Sequence, residues 1–153
     1  MKLDALETFM DVAFEEARRA AAVGEVPVGA VVIDAHQGTV IARAHNLVRT
    51  NADPTAHAEI LALREAAQEY RRPRLVNCDL FVTLEPCIMC AQAIALARIR
   101  RLVFAAYDPK AGGVEHGARV FEQPNCNHRP EVIGGVRETA ASDLLKAFFE
   151  NIR

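Results

Sequence analysis

Apolar residues recur at helical spacing in four stretches of the chain. Over residues 4–22 they fall on one face, and charged residues fall outside it. The apolar face comprises Leu6, Phe9, Met10, Ala13, Ala17, Ala20 and Ala21, and the outer residues are Glu15, Glu16, Arg18 and Arg19. The same spacing predicts helices over residues 56–70, 86–98 and 138–152, and Pro86 suits a first helical position. In the last helix the residues expected to face inward are Leu144, Leu145, Phe148 and Phe149.

Five apolar or β-branched runs lie between these stretches and predict strands. They cover residues 28–33, 40–46, 79–83, 102–106 and 131–136. Only a turn at residues 34–38 separates the first two, which therefore form a predicted hairpin. Residues 107–130 are rich in glycine and proline, so we expect a long functional loop there. Strands that alternate with helices predict an α/β protein, a three-layer α/β/α fold with a central five-stranded mixed sheet, formed by one domain over residues 1–153.

The composition is that of an ordinary soluble protein. Hydrophobic residues make up 51% and charged residues 25% of the chain. No apolar run approaches the ~18 residues of a membrane-spanning helix, and the N-terminus lacks the apolar core of a signal peptide. We therefore expect a cytoplasmic protein without a membrane partner. The net charge of −2 is not typical of nucleic-acid binders, so local basic patches would have to hold any such partner.

Two cysteines carry the first sign of chemistry. Cys87 and Cys90 are three positions apart at the start of a predicted helix, so their sulfurs share a face near the positive end of the helix dipole. That position favours thiolates, which are the form of cysteine that binds zinc. A redox Cys-x-x-Cys is the alternative at this point. Cys78 and Cys126 have no partner at a useful spacing, and we expect them to be packing residues.

A histidine and a carboxylate lie thirty residues upstream of Cys87, at His57 and Glu59. One histidine and two cysteines leave a tetrahedral zinc with an open position, as in catalytic sites. Because two thiolates weaken the ion as a Lewis acid, a nearby carboxylate would have to accept a proton from bound water and deliver it to the substrate. Residues two positions apart on a regular helix differ by about 200°. Glu59 can therefore face the metal only if His57 lies in an irregular first turn, and otherwise it is a solvated acid at a helix start.

These segments and their flanks resemble the bacterial tRNA-specific adenosine deaminases, within the cytidine and deoxycytidylate deaminase superfamily. The stretch from His57 to Glu59, followed by the stretch from Pro86 to Cys90, matches the H-x-E and P-C-x-x-C signature of zinc deaminases. That signature alone specifies the superfamily. The narrower resemblance rests on residues 24–31, 45–46, 53–60, 83–87, 97–99, 108–110 and 127–129.

The resemblance implies a cytidine-deaminase-like fold and a homodimer that converts adenosine to inosine at the wobble position of a tRNA anticodon loop. It also implies one Zn²⁺ ion per subunit and a set of site residues. These are the zinc ligands His57, Cys87 and Cys90, the catalytic proton shuttle Glu59, and the substrate-binding residues Asn46, Val28, Ala58 and Asp108. Asn46 would hydrogen-bond the flipped base, and Asp108 would lie near the nucleotide upstream of it.

Several further groups are candidate RNA contacts. Two arginine clusters could bind phosphates, and they comprise Arg71, Arg72 and Arg74, and Arg98, Arg100 and Arg101. His128 and Arg129 could contact the RNA loop or form a structural turn before Pro130, while Tyr107 could stack on a base or cover the sheet edge. The C-terminal helix ends with little positive charge, which weakens the expected grip on RNA.

Two other functions share parts of this pattern. A deaminase of a free base or nucleoside, such as guanine, would use the same zinc chemistry without needing a basic surface. A structural zinc module would need a fourth protein ligand, and the sequence offers none at a natural spacing.

Overall fold

The computed structural model describes residues 2–152. The helices are α1 (Leu3–Ala22), α2 (Ala58–Tyr70), α3 (Ile88–Leu96) and α4 (Glu138–Asn151), and the strands are β1 (Gly29–Asp34), β2 (Thr39–His45), β3 (Cys78–Leu84), β4 (Arg101–Ala106) and β5 (Glu131–Ile133). A short 3₁₀ helix at Val120–Glu122 interrupts the predicted long loop. Each predicted helix and strand is present, but α3 starts later and ends earlier than predicted, and β5 is shorter. No helix in the described range is long and apolar enough to cross a bilayer.

The five strands form one mixed sheet in the order β2-β1-β3-β4-β5. β1 pairs antiparallel with β2 and β3, and the predicted hairpin is confirmed by the pairing of Gly29 with His45. β3, β4 and β5 run parallel. With this topology the start of β1 and the carboxyl ends of β2, β3 and β4 meet at one edge of the sheet. Loops that follow parallel strands at such an edge are the usual place for a ligand site in α/β proteins.

Two apolar clusters cover the two faces of the sheet and make three layers. On one face α2 and α3 pack over the sheet, for example through Leu63 and Ile94 against Val82. On the other face α1 and α4 do so, and Met10 belongs to the same cluster as Phe81. Neighbouring strand residues belong to opposite clusters, as expected from the two-residue period of a strand. The predicted α/β/α layering is confirmed.

The backbone of α1 lies directly on the first residue of β1. A Cβ atom at Gly29 would lie 2.0 Å from the carbonyl oxygen of Ala13 and 2.5 Å from the amide nitrogen of Ala17. Only glycine allows the helix and the strand to approach this closely. This contact sets the distance between α1 and the start of β1.

The prediction that Glu16 lies on the outer, polar side of α1 is wrong, because this residue is only 3% exposed. Its carboxylate accepts hydrogen bonds from Arg19 at 3.0 Å and Arg43 at 2.9 Å, and it lies 3.0 Å from Nδ1 of His45. Burial disfavours its ionised form, but the bonds from His45 and Arg43 hold the pKa of Glu16 below its ordinary value. A buried carboxylate therefore joins α1 to β2.

The inward face predicted for α4 is also partly wrong. Phe149 is 43% exposed, and Ala141 is the buried residue of this helix. Phe148 and Phe149 are consecutive, and consecutive side chains on a helix diverge by about 100°. Phe148 is partly buried on one side of the helix, and the exposed Phe149 makes an edge-to-face contact with it.

Candidate active site

A cavity of about 280 Å³ opens at the sheet edge where β1 starts and where β2, β3 and β4 end. His57, Glu59 and Cys87 are among the residues that line it. Val26 and Val28 supply apolar walls of the cavity. The sequence predicted most of this set, although these residues come from segments that lie far apart along the chain.

The three predicted metal ligands meet at the N-termini of α2 and α3. His57 is the residue before α2, Cys87 is the residue before α3, and Cys90 lies in the first turn of α3. Nδ1 of His57 lies 3.6 Å from Sγ of Cys87 and 3.5 Å from Sγ of Cys90. A tetrahedral zinc with ordinary Zn–N and Zn–S bonds separates these atoms by about 3.6 Å. The three ligand atoms lie within 4.8 Å of one another, so the donor set and its spacing fit zinc.

The irregular first turn that Glu59 requires is confirmed. His57 has φ −74° and ψ 149°, which is extended backbone, so the histidine does not follow the helical rotation. Glu59 then lies inside the cavity beside the ligands and is only 4% exposed. Its reading as a solvated helix-start acid is wrong. Cys87 shows the same arrangement with φ −72° and ψ 177°, so the expectation that Pro86 begins α3 is also wrong.

Burial and neighbouring sulfur atoms set the protonation of this cluster. Burial raises the pKa of Glu59 to about 7, and the negative charge of Cys87 acts in the same direction. Hydrogen bonds from Cys90 and His57 lower the pKa of Cys87 to about 4. The bond to Cys87, together with burial, raises the pKa of Cys90 far above that of a free thiol. The pKa values of the two sulfurs are therefore shifted in opposite directions, and a metal that binds both would favour the thiolate form of each.

Asn46 is oriented by a hydrogen bond to the start of α2. Its Oδ1 accepts the backbone N–H of Ala58 at 2.8 Å, and Asn46 lines the cavity. The carboxamide oxygen is therefore occupied, and the amide N–H groups are its remaining donors. The side chain of Ala58 is fully buried in the core, while its backbone N–H is the donor to Asn46, so a substrate contact by the Ala58 backbone stays a prediction. Asp108 lies at the cavity on the opposite side, where its Oδ1 accepts the backbone N–H of Ala111 at 3.0 Å.

Sequence reasoning missed three charged residues at the cavity, namely Glu25, Arg49 and Glu85. Both carboxylates are 2% exposed. Burial raises their pKa, but hydrogen bonds from Thr50 to Glu25 and from the Asp108 amide and His116 to Glu85 hold both pKa values below the ordinary range. The sequence did contain a signal for buried acids, since each carboxylate stands alone beside apolar residues. Glu25 directly precedes Val26, and Glu85 lies between Leu84 and Pro86.

The predicted arginine clusters do not border the cavity. Arg100 and Arg101 are at the start of β4, on the sheet edge opposite the site, and they pair with Asp79 and Glu131. Arg98 donates to the carbonyl oxygen of Ala95. The first cluster follows the C-terminal end of α2, whose 13 residues separate it from His57 by about 20 Å. Neither cluster is placed to hold a nucleotide at the site.

Three other candidate RNA contacts each make a contact within the protein. Nε2 of His128 lies 2.7 Å from the carbonyl oxygen of Ile99, and Arg129 donates to the carbonyl oxygen of Phe121 at 2.9 Å. Tyr107 makes an edge contact with Phe104, so it covers the sheet edge. Each of the three therefore has a structural contact, but Tyr107 is 38% exposed and Arg129 is exposed, so contact with RNA stays a prediction for them. Cys78 is a buried packing residue as predicted, and burial raises the pKa of its thiol to about 11.

Known proteins share both the sequence and the fold around this site. The family model of the cytidine and deoxycytidylate deaminase zinc-binding region matches residues 3–106. A tRNA-specific adenosine deaminase of Agrobacterium fabrum is 50% identical over 145 residues, which cover 95% of this chain and 94% of that protein. A solved structure from a study of A-to-I editing by tRNA:A34 deaminases at the wobble position of transfer RNA superposes with a TM-score of 0.87 at 50% identity, covering 90% of this chain and 98% of the other. The guanine deaminase of Nitrosomonas europaea superposes with a TM-score of 0.77 at 27% identity, covering 93% and 83%.

Proposed function

The chain belongs to the tRNA-specific adenosine deaminases of the cytidine and deoxycytidylate deaminase family, and on that basis we propose that it converts adenosine to inosine at the wobble position of a tRNA anticodon. The observation that carries this proposal is a buried carboxylate, Glu59, inside a cavity beside three ligands that fit zinc. Such a site is suited to hydrolysis. The near full-length identity to adenosine deaminases acting on tRNA, at 50%, favours this substrate over guanine, since the guanine deaminase is 27% identical.

His57, Cys87 and Cys90 would hold one Zn²⁺ ion in each subunit. When bound with one open position, zinc lowers the pKa of a water molecule and so provides the nucleophile that hydrolytic deamination requires. Glu59 would accept a proton on a carboxylate oxygen and deliver it to a ring nitrogen or to the leaving amine. Burial supports this role, because it keeps Glu59 out of water beside the three ligands and raises its pKa above the ordinary value, which favours uptake of a proton.

The other cavity residues would hold the flipped base. Val26 and Val28 offer apolar walls, and the amide N–H groups of Asn46 can donate to a ring nitrogen. Asp108, on the far side of the cavity, would lie near the nucleotide upstream of the target. Arg49 is an exposed cation at the cavity, so it would contact a phosphate of the bound anticodon loop.

We also propose that the protein is a homodimer of single-domain subunits that works in the cytoplasm, where its tRNA substrate is found. α3 supports the dimer, because Ile88 is 55% exposed and Leu96 is 63% exposed on this short helix. Light scattering on a Leu96→Glu variant tests the interface. A dimeric wild type and a monomeric variant are expected, and a monomeric wild type would contradict the proposal.

The function is tested with purified zinc-loaded protein and a transcribed tRNA that carries adenosine at the wobble position. Inosine is measured by nuclease digestion and mass spectrometry, with free adenosine, cytidine and guanine in parallel reactions. We expect inosine in the tRNA and no product from the small substrates. A tRNA with guanosine at that position and a Glu59→Ala variant serve as controls. Release of xanthine from guanine without inosine in tRNA would favour the free-base deaminase instead.

A further inference from the structure

Two buried carboxylates border the cavity without belonging to the metal cluster. Glu25 precedes β1, and Glu85 directly follows β3, so the two groups approach the cavity from different strands. Each is 2% exposed. A buried carboxylate is stable only when its oxygens are hydrogen-bonded, and the partners of these two show what they hold in place.

The carboxylate of Glu85 accepts several hydrogen bonds from the loop that follows β4. It accepts the backbone N–H of Asp108 at 3.0 Å, Val114 at 3.2 Å, Glu115 at 2.9 Å and His116 at 3.1 Å. Nδ1 of His116 adds a fifth contact at 2.8 Å. Five contacts saturate the roughly four acceptor positions of a carboxylate. Glu85 therefore has no free position for substrate, and its partners are the backbone of one cavity wall.

Glycine allows this loop to close around the carboxylate. A Cβ atom at Gly112 would lie 2.5 Å from Oε2 of Glu85. The loop also reaches the metal-binding segment, because the N–H of Gly113 donates to the carbonyl oxygen of Pro86 at 2.8 Å. Asp108 and Ala111, which line the cavity, lie within this held segment.

The carboxylate of Glu25 holds the loop on the other side. It accepts the backbone N–H of Arg49 at 3.2 Å and that of Thr50 at 2.6 Å, and the Thr50 hydroxyl donates to it at 2.7 Å. The loop that it holds follows Asn46 and contains Val48 and Arg49, all of which line the cavity. The two walls of the cavity are thus each tied to a separate buried carboxylate.

We propose that Glu25 and Glu85 are positioning residues that hold the two loop walls at the spacing a flipped nucleotide requires. This inference rests on the proposed tRNA deaminase function. Both residues act on the substrate through the loops, whereas the metal ligands and Glu59 act at the reacting atoms. Because the loop walls would contact the bound nucleotide equally in the ground state and the transition state, loss of these contacts should raise KM more than it lowers kcat.

Four variants separate this role from general stability. Glu85→Gln replaces one acceptor oxygen by a donor that faces the loop amides. Gly112→Ala keeps the carboxylate but adds a methyl group that would lie 2.5 Å from its Oε2. Thr50→Val removes the hydroxyl that Glu25 accepts and keeps the shape, and Thr50→Ser restores the hydroxyl. The matched control is Glu115→Gln, because it removes the same charge from an exposed side chain of the same loop.

For each variant we measure kcat and KM on the tRNA, zinc content, thermal midpoint and backbone hydrogen exchange. We expect KM to rise about tenfold in Glu85→Gln, Gly112→Ala and Thr50→Val, with kcat within about threefold and zinc retained. Thr50→Ser and Glu115→Gln should behave like the wild type. The amides of Val114 to His116 should lose protection in Glu85→Gln and in Gly112→Ala, because both changes disturb the oxygen that accepts them. The amide of residue 50 should lose protection in Thr50→Val only.

Three results would overturn the inference. A lower thermal midpoint with an unchanged KM would mean that the carboxylates only stabilise the fold. Loss of zinc or of kcat at constant KM would assign Glu85 to the metal centre. Retained amide protection in Glu85→Gln would show that the carboxylate does not hold the loop. A wild type that does not act on tRNA would refute the proposed function instead, and the exchange measurement would still decide whether the carboxylates hold the loops.

Discussion

Replacing Arg100 by alanine tests whether the second arginine cluster serves the fold or the RNA. The guanidinium of Arg100 donates two parallel hydrogen bonds to Asp79, at 2.9 Å from Nε and 2.7 Å from Nη2. The Asp79 side chain is fully buried, whereas that of Arg100 is 45% exposed. Removing the arginine leaves a buried carboxylate without its partner, which is among the costliest single changes in a protein interior.

The expected loss of stability follows from that geometry. Breaking a fully buried ion pair costs about 3–5 kcal/mol, and exposed pairs contribute about 1 kcal/mol or less. Because one partner is half-exposed to water, we expect Arg100→Ala to lower the free energy of unfolding by about 2 kcal/mol. For a protein of this size, that corresponds to a fall in thermal midpoint of roughly 4–8 °C.

The assay compares stability with activity and uses Arg101→Ala as the matched control. That variant removes the same charge from the same cluster, but its partner Glu131 is 56% exposed, so about 1 kcal/mol or less should be lost. Urea unfolding and kcat/KM on tRNA are measured for both variants at 25 °C. We expect only Arg100→Ala to be destabilised and both to deaminate tRNA normally. A fall in kcat/KM of more than about tenfold in both variants at unchanged stability would refute this reasoning and assign the cluster to phosphate binding.

Four further changes have defined outcomes. Glu59→Gln should keep its zinc and lose about 10³-fold in kcat, as seen by metal analysis beside a tRNA assay, and normal turnover would contradict the proton-shuttle role. Asn46→Ala removes both the acceptor for the Ala58 amide and a donor to the base, so kcat/KM on tRNA should fall about tenfold or more; an unchanged value would exclude Asn46 from base binding. Gly29→Ala places a methyl group 2.0 Å from the Ala13 carbonyl oxygen, so urea unfolding should show a loss of about 2 kcal/mol, and unchanged stability would contradict the close packing of α1 on β1. Removal of zinc by a chelator should abolish turnover and lower the thermal midpoint, with recovery on adding Zn²⁺; activity that persists in the metal-free protein would exclude zinc from the reaction.

The candidate metal ligands and the neighbouring carboxylate could be predicted from the sequence, because they occur as two pairs in short segments. His57 and Glu59 are two positions apart, and Cys87 and Cys90 are three apart, so spacing along the chain constrains their geometry. The predicted irregular turn at His57 was needed to bring Glu59 to the metal, and the extended backbone of His57 confirms it. The helices and strands were also predictable, because their hydrophobic periods are local.

The role of individual charges was much less predictable. Glu16 has the composition and position of a surface residue on α1, yet residues from β2 bury it. Arg100 and Arg101 form a basic cluster in the sequence, but each has a carboxylate partner in the fold. A charged side chain gives the same local pattern whether it is solvated, paired or bound to RNA, so periodicity cannot distinguish these cases.

The sequence alone determined the order of the elements, the candidate metal-ligand set and the family, since these depend on residue types at short spacings and on a match along nearly the whole chain. Only the tertiary structure decided which acids are buried and which arginines are available. Glu85 meets His116 across 31 positions, and Asp79 meets Arg100 across 21. Such partners are selected by the packing of strands and loops, because desolvation makes a carboxylate depend on whichever donors the fold brings to it.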